Sequence, residues 1–187
     1  MNPPSLSTLS LSLEQGIAEI RLNRPDKSNA MNDAMWQEIR QAFDWVDATP
    51  EARVAILSGA GRNFCAGIEL TLLAGIQQRI AHPDAARSRE ALRRLILDLQ
   101  DCLSSVERCR KPVLAAIQGA CIGGALDLVT SCDMRYAAAD AVFSVREIDL
   151  GMVADVGTLQ RLPHLIPEGA ARELAFTGRN FRAEEGE

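Results

Sequence analysis

Twice in this chain a short apolar run leads directly into a glycine-bearing loop. "RVAILSG" runs into "AGRNFCAG", and "PVLAAIQG" runs into "ACIGGALD". Buried strands of this kind, separated by stretches with helical spacing, restrict the chain to folds made of βαβ units, because parallel neighbours need a long crossover between them. The surrounding pattern agrees. "GIAEIRLNRP" alternates apolar and polar residues and reads as a strand ended by a Pro-Asp turn. Asn32 is placed to cap a helix on which Met35, Trp36, Ile39, Ala42, Phe43 and Val46 recur until Thr49-Pro50. Leu92, Leu95, Leu99, Leu103 and Val106 mark a long amphipathic helix that stops before Lys111-Pro112. "ACIGGALDLVTSCD" reads as a helix opened by glycine, "MRYAAADAVFSV" as further short strands, and "VGTLQRLPHLIPEGAARELAFTG" as two helices broken near Pro167. The Pro- and Ser-rich start, "MNPPSLSTLSLSLEQ", reads as a frayed lead-in, and "GRNFRAEEGE" as the opening of another helix or turn. The expected class is α/β, without internal repeats or low-complexity linkers.

Composition excludes several function classes. With 187 residues, 47% apolar and 24% charged, the chain is long enough to bury a core. A net charge of −5 without a Lys/Arg-rich run speaks against nucleic acid and anionic membranes as partners. No apolar run approaches the roughly 20 residues that span a bilayer, and the N-terminus lacks the basic start and apolar stretch of a secretory signal. Five cysteines, an odd count with no CxxC pair, indicate reduced thiols and a cytoplasmic location. Cys102 and Cys109 read as core packing. His82 and His164 stand apart from any metal-ligand spacing, so no metal site is expected. Phosphate-loop, HExxH and GxSxG patterns are absent from the sequence.

The chemistry-bearing residues gather around the two glycine loops. "FCAGIEL" and "GACIGGALD" each bring glycine beside backbone N–H groups. Gly123 and Gly124 open a helix whose first N–H groups lack intrahelical acceptors. One such N–H, with that of Ile68 after Gly67, would form a two-donor oxyanion hole. Glycines that merely permit tight turns are the plainer alternative. Asp127 follows Gly124 by three residues and so returns to the same helix face. Glu147 and Asp155 flank a short apolar stretch in "EIDLGMVADVG", where acids are out of place on a solvated-face argument. For Asp155 a helix cap is the competing explanation, and Asp149 reads as a solvated or salt-bridged acid.

Taken together, "IAEIRLNRPDKSNAMN", "NFCAGIEL", "IQGACIGGALDLVTSCDMRYAAADAVFSVREIDLGM" and "GTLQRLP" resemble the crotonase, or enoyl-CoA hydratase/isomerase, superfamily over nearly the whole chain. "REIDLGMVADVGTLQRLP" is most similar to the Δ3,5-Δ2,4-dienoyl-CoA isomerases within it. The resemblance implies a spiral of ββα units forming one acyl-CoA-binding core domain over residues 1–187. It implies oxyanion donors at Ile68 and Gly124 and catalytic acids at Asp127, Glu147 and Asp155. Lys27, Ala30, Ala66, Gly67, Glu69, Leu70 and Gly123 fall on segments that bind the substrate. No cofactor is implied beyond the coenzyme A thioester, which is the substrate itself.

The acids decide the subfamily that the resemblance implies. Hydratases of this family carry glutamates where this chain has Asp127 and Glu147, and glycine where it has Asp155. The implied reaction therefore moves double bonds: Asp155 takes a proton from C2, Glu147 delivers one to C6, and Asp127 tunes the pair. An enoyl-CoA hydratase and a non-catalytic acyl-CoA binder are the rival readings. Family members continue with a helical segment that covers the acyl pocket and packs between subunits of trimers or hexamers. The expectation is that this segment is missing after Phe181, and that a homotrimer or hexamer depends on its presence.

Overall fold

The computed structural model describes residues 3–186. Its first strand comes from the segment that reads as a lead-in. Leu9, Leu11 and Leu13 alternate with serine, and Gln15 and Gly16 take φ values of 51° and 85°, the twist that a two-residue hairpin turn needs. β1 (Leu9–Glu14) therefore folds back antiparallel on β2 (Ile17–Leu22), pairing Glu14 with Ile17. Just before it, the Glu38 carboxylate accepts the N–H groups of Ser7, Thr8 and Leu9 and both hydroxyls of Ser7 and Thr8. Frayed behaviour is thus corrected to an anchored strand. Residues 1 and 2 of that segment lie outside the described residues.

From there helices and strands alternate. α1 (Asp33–Ala48) opens at Asn32, whose side chain accepts the Met35 N–H at 3.0 Å, and all six apolar positions of its stripe are buried. β3 (Val54–Gly59) precedes α2 (Leu70–Ile80), a helix the sequence reading passed over, and α3 (Ala85–Arg108) follows. β4 (Val113–Ile117), β5 (Ala120–Ile122) and α4 (Gly124–Thr130) come next, so the segment expected as one helix begins as a strand. β6 (Met134–Ala137), β7 (Val142–Ser144), α5 (Thr158–Arg161), α6 (Glu168–Thr177) and β8 (Phe181–Arg182) complete the chain. The stretch after Gly178 is a strand and a 3-10 turn. Phe181 stacks on Phe143 with ring centroids 5.4 Å apart.

Strand order explains the architecture. The large sheet runs β1-β2-β3-β4-β6, parallel throughout except for the first hairpin. The small sheet runs β5-β7-β8, and isolated bridges extend its pattern through Cys65 to Cys121 and through Met31 to Ile68. The order Met31, Cys65–Ile68, β5, β7 repeats the order β2, β3, β4, β6. Each turn of chain lays one strand in the large sheet and one extended segment beside the small one, then continues toward a helix. This is the expected spiral of ββα units. Its core joins both sheets to α1, α3 and α4 through Ile20, Phe43, Leu57, Phe64, Leu103 and Leu128. No helix among the described residues is long and apolar enough to cross a membrane.

Candidate active site

Two backbone donors are left free by the way these turns stack. Met31 N–H bonds to Gly67 O at 2.8 Å, and Glu69 N–H bonds to Met31 O at 3.0 Å. In extended chain, alternate peptide groups point to opposite sides, so the Ile68 N–H faces away from Met31. Gly123 N–H bonds to Ser144 O at 2.9 Å, leaving Gly124 as the first residue of α4, where no intrahelical acceptor exists. Among the described residues neither the Ile68 nor the Gly124 N–H has an acceptor. The two loops touch. Gly67, with φ 91°, lies so close to the β5–α4 junction that a Cβ on it would stand 2.5 Å from Ile122 O and 3.5 Å from Gly124 N. Here a glycine is required by both its backbone angle and the space.

Ile68 and Gly124 open onto a cavity of 330 Å³ that Glu147 and Asp155 also line. Its remaining wall is mainly apolar, with Leu73, Ile76 and Ile80 from α2 facing Leu92, Leu95 and Leu99 from α3. The α3 stripe expected from spacing therefore divides: Leu103 and Val106 enter the core, while the earlier leucines stay half-buried as cavity wall. A hollow of 620 Å³ along β6, reaching Phe181 and Ala183, is larger but meets neither donor loop.

The three acids occupy different surroundings. Glu147 begins a 3-10 turn (Glu147–Leu150), and its Oε1 lies 3.0 Å from where a Cβ on Gly123 would be. Burial pushes its carboxyl up to about 7, and the nearby charge of Asp127 adds to the rise. Asp127 is fully buried on α4 and does not line the cavity. Burial pushes it up to about 6, against a hydrogen bond of 2.5 Å from the Thr158 N–H to its Oδ1. Asp127 Oδ2 and Glu147 Oε2 have no partner among the described residues. Asp155 stands at the exposed rim, its carboxyl raised by partial burial. It is not a helix cap: Gly157 occupies that position of α5, and Asp127 meets the helix's first N–H. Asp149 pairs with Arg146 at 2.8 Å on the surface, as a salt-bridged acid should.

The other expected substrate residues form a separate surface beside the cavity. Ala66 N–H bonds to Ser28 O at 2.9 Å, which brings the loop of Lys27 and Ala30 against that of Ala66, Gly67 and Glu69. Arg24 ties both loops, donating to Ala30 O and to Glu69 at 2.6 Å. Lys27 and Leu70 are exposed, and neither lines the cavity. Asn29 is the residue that sequence reasoning missed. Wholly buried with φ 54°, it donates its side-chain amide to Ala60, Asn63 and Phe64 carbonyls and accepts Arg24 N–H. The α2 wall was missed too, although Leu72, Leu73, Ile76 and Ile80 carry a helical spacing.

The ββα spiral and its paired free N–H groups over an acid-lined apolar cavity define the class of protein structurally. Residues 12–187 match the model of the enoyl-CoA hydratase/isomerase family. The chain belongs to that family. It is 44% identical over 182 residues to the peroxisomal Δ(3,5)-Δ(2,4)-dienoyl-CoA isomerase of Arabidopsis thaliana, covering 97% of this chain and 66% of the relative. It is 45% identical over 175 residues to the mitochondrial Δ(3,5)-Δ(2,4)-dienoyl-CoA isomerase of Homo sapiens, covering 93% and 53%. A Thermobifida fusca structure in complex with acetoacetyl-CoA superposes with a TM-score of 0.79 at 29% identity, covering 95% of this chain and 69% of that one. The chain thus spans between about half and two thirds of the length of the two isomerases.

Proposed function

We propose that this protein isomerises 3,5-dienoyl-CoA to 2,4-dienoyl-CoA. The observation that carries the reading is the cavity in which Glu147 and Asp155 face a common apolar space beside the Ile68 and Gly124 N–H groups. The two N–H groups polarise the thioester carbonyl and hold the negative charge that develops on its oxygen. Asp155, at the wetter rim, removes a proton from C2. The electron pair spreads through the diene to the thioester oxygen, and Glu147 delivers a proton to C6. One proton leaves and one arrives, so the double bonds move from positions 3 and 5 to 2 and 4. The division of labour is the one the family resemblance implies, and the surroundings support it: burial pushes Glu147 up to about 7, which favours it as proton donor, while Asp155 is the more solvated of the two. Asp127, behind the wall, holds α5 by its first N–H and raises Glu147 through its charge.

The loops of Lys27, Ala30, Ala66, Glu69 and Leu70 are read as the coenzyme A side, with Gly67 and Gly123 as the backbone beneath the thioester. The acyl-thioester substrate is supported by the acetoacetyl-CoA complex of the related structure. Assembly with copies of itself as a trimer or hexamer belongs to this reading where the helical C-terminal segment is present, and exposed Leu159 and Phe176 offer apolar surface for such contacts. Five unpaired thiols favour a reducing compartment, cytoplasmic or organellar, and the two relatives are named as peroxisomal and mitochondrial.

The test is a spectroscopic diene-shift assay on a panel of 3,5-dienoyl-CoA thioesters, run beside crotonyl-CoA. Conversion of the dienes without hydration is the expected outcome. Hydration of crotonyl-CoA alone would transfer the reading to a hydratase, which the acids favour less because Asp155 adds to the cavity a carboxylate that hydration does not require. Tight binding of every thioester with no turnover would leave a non-catalytic binder.

A further inference from the structure

Beyond its cavity wall, α3 changes character. Gln100, Ser104 and Glu107 succeed the lining leucines at spacings of four and three, which keep them on one helix face. All three engage the segment that carries Asp155. Gln100 Nε2 donates to the Asp155 backbone carbonyl at 2.5 Å. Arg161 donates to Glu107 at 2.7 and 3.1 Å, to the Ser104 hydroxyl at 3.3 Å and, through its other nitrogen, to Val156 O at 3.4 Å. That guanidinium crosses back through the space a side chain at position 157 would fill. A Cβ on Gly157, where φ is 137°, would stand 1.7 Å from Arg161 Nη1.

Asp155 itself lies in a turn, outside helix and strand, and among the described residues no other side chain holds its carboxyl. Its aim is set by the main chain of residues 155–157. We infer that Gln100 is a positioning residue for Asp155, fixing that turn from α3 with Arg161 as a second clasp. The inference rests on the reading of Asp155 as the C2 base. It also links two parts of the reaction, since the helix that walls the acyl cavity is the one that holds the base.

The test is Gln100→Leu, which keeps the bulk and removes the donor. kcat for diene isomerisation should fall about tenfold or more, as a misplacement near 1 Å can cost about a hundredfold. KM should stay within about twofold because the cavity wall and donor loops are unchanged. Gln100→Lys, which retains a donor, should recover most of the loss. An activity-independent reading comes from 13C NMR titration of Asp155: freed into solvent, its raised pKa should move down in Gln100→Leu. Should Gln100→Leu fail to fold, Gln100→Met gives the same comparison. An unaltered kcat with an unaltered Asp155 titration would overturn the positioning role. A wild-type protein without isomerase activity, in which Asp155 still shifts on Gln100→Leu, would overturn the isomerase reading and leave the positioning role standing.

Discussion

Gly67→Ala puts the junction of the two donor loops to a quantitative test. The added Cβ would lie 2.5 Å from Ile122 O and 3.5 Å from Gly124 N, at a residue whose φ is 91°. The first contact is with a main-chain carbonyl, which cannot rotate away as a side-chain tip would. A non-glycine residue held in such a sparsely populated region costs about 1–3 kcal/mol, and relieving the overlap brings the total to about 2–4 kcal/mol. For a chain of this size that is a fall in Tm of about 5–15 °C. Relief requires the loops to part, which moves the Ile68 N–H away from its partner donor, and losing one oxyanion donor costs about 10²–10³ in rate. Turnover in the diene-shift assay and thermal melting should be measured on the same preparation. Gly75→Ala is the control. Gly75 lies inside α2 with open space around its Cβ position, so alanine there should raise stability by about 0.5–1 kcal/mol. Wild-type Tm and turnover in Gly67→Ala would refute the claim that this glycine sets the donor pair.

Asp155→Asn keeps size while removing the basic oxygen, and isomerisation should fall by about 10²–10⁴-fold with little change in acyl-CoA affinity; turnover near wild type would remove Asp155 from the chemistry. Glu147 is raised from 4.5 to about 7, so its contribution to stability is fully present below about pH 4.5 and lost as pH rises through about 7. Melting curves from pH 4 to 8 should therefore show Glu147→Gln gaining on wild type with rising pH, by about 1–3 kcal/mol overall, and parallel curves would contradict the assignment. Glu38 behaves in the opposite sense: burial pushes it up, but hydrogen bonds from Ser7 and Thr8 prevail and hold it below its ordinary value. Its stabilisation is present above that value and lost as pH falls through the folded pKa. Glu38→Gln should cost about 1–3 kcal/mol at neutral pH, visible in urea denaturation, while leaving kcat untouched.

What was legible in the chain, and what was not, follows from the range of each interaction. α1 was readable to its cap because a helix stripe and an Asn side chain act within a few residues. The two glycine loops were readable because glycine spacing marks where backbone can be bared, while the choice of Ile68 and Gly124 came from the family resemblance. β1 was misjudged since proline and serine at its start masked a period-two leucine pattern, and its anchor, Glu38, is about thirty residues away. The hydrogen-bond partner of Asp127 was hidden for a similar reason. Helical spacing predicts the face on which an acid sits, but the Thr158 N–H that claims it arrives from a later turn of the spiral. Asn29 gave no local sign, as its partners are carbonyls 31 to 35 residues downstream.

The donors at Ile68 and Gly124 are main-chain groups, whereas Glu147 and Asp155 are side chains on a late segment. Heredity edits these two kinds of part unequally. On the proposed reading, a codon change at 147 or 155 would rewrite which proton moves and where, yet leave the peptide N–H groups as they were, because every residue except proline supplies the same one. Erasing the donors instead demands a change in the path of the chain, and Gly67 guards that path. A duplicated gene for this protein would thus inherit its paired free N–H groups almost intact and be free to vary the carboxylates around them, one at a time.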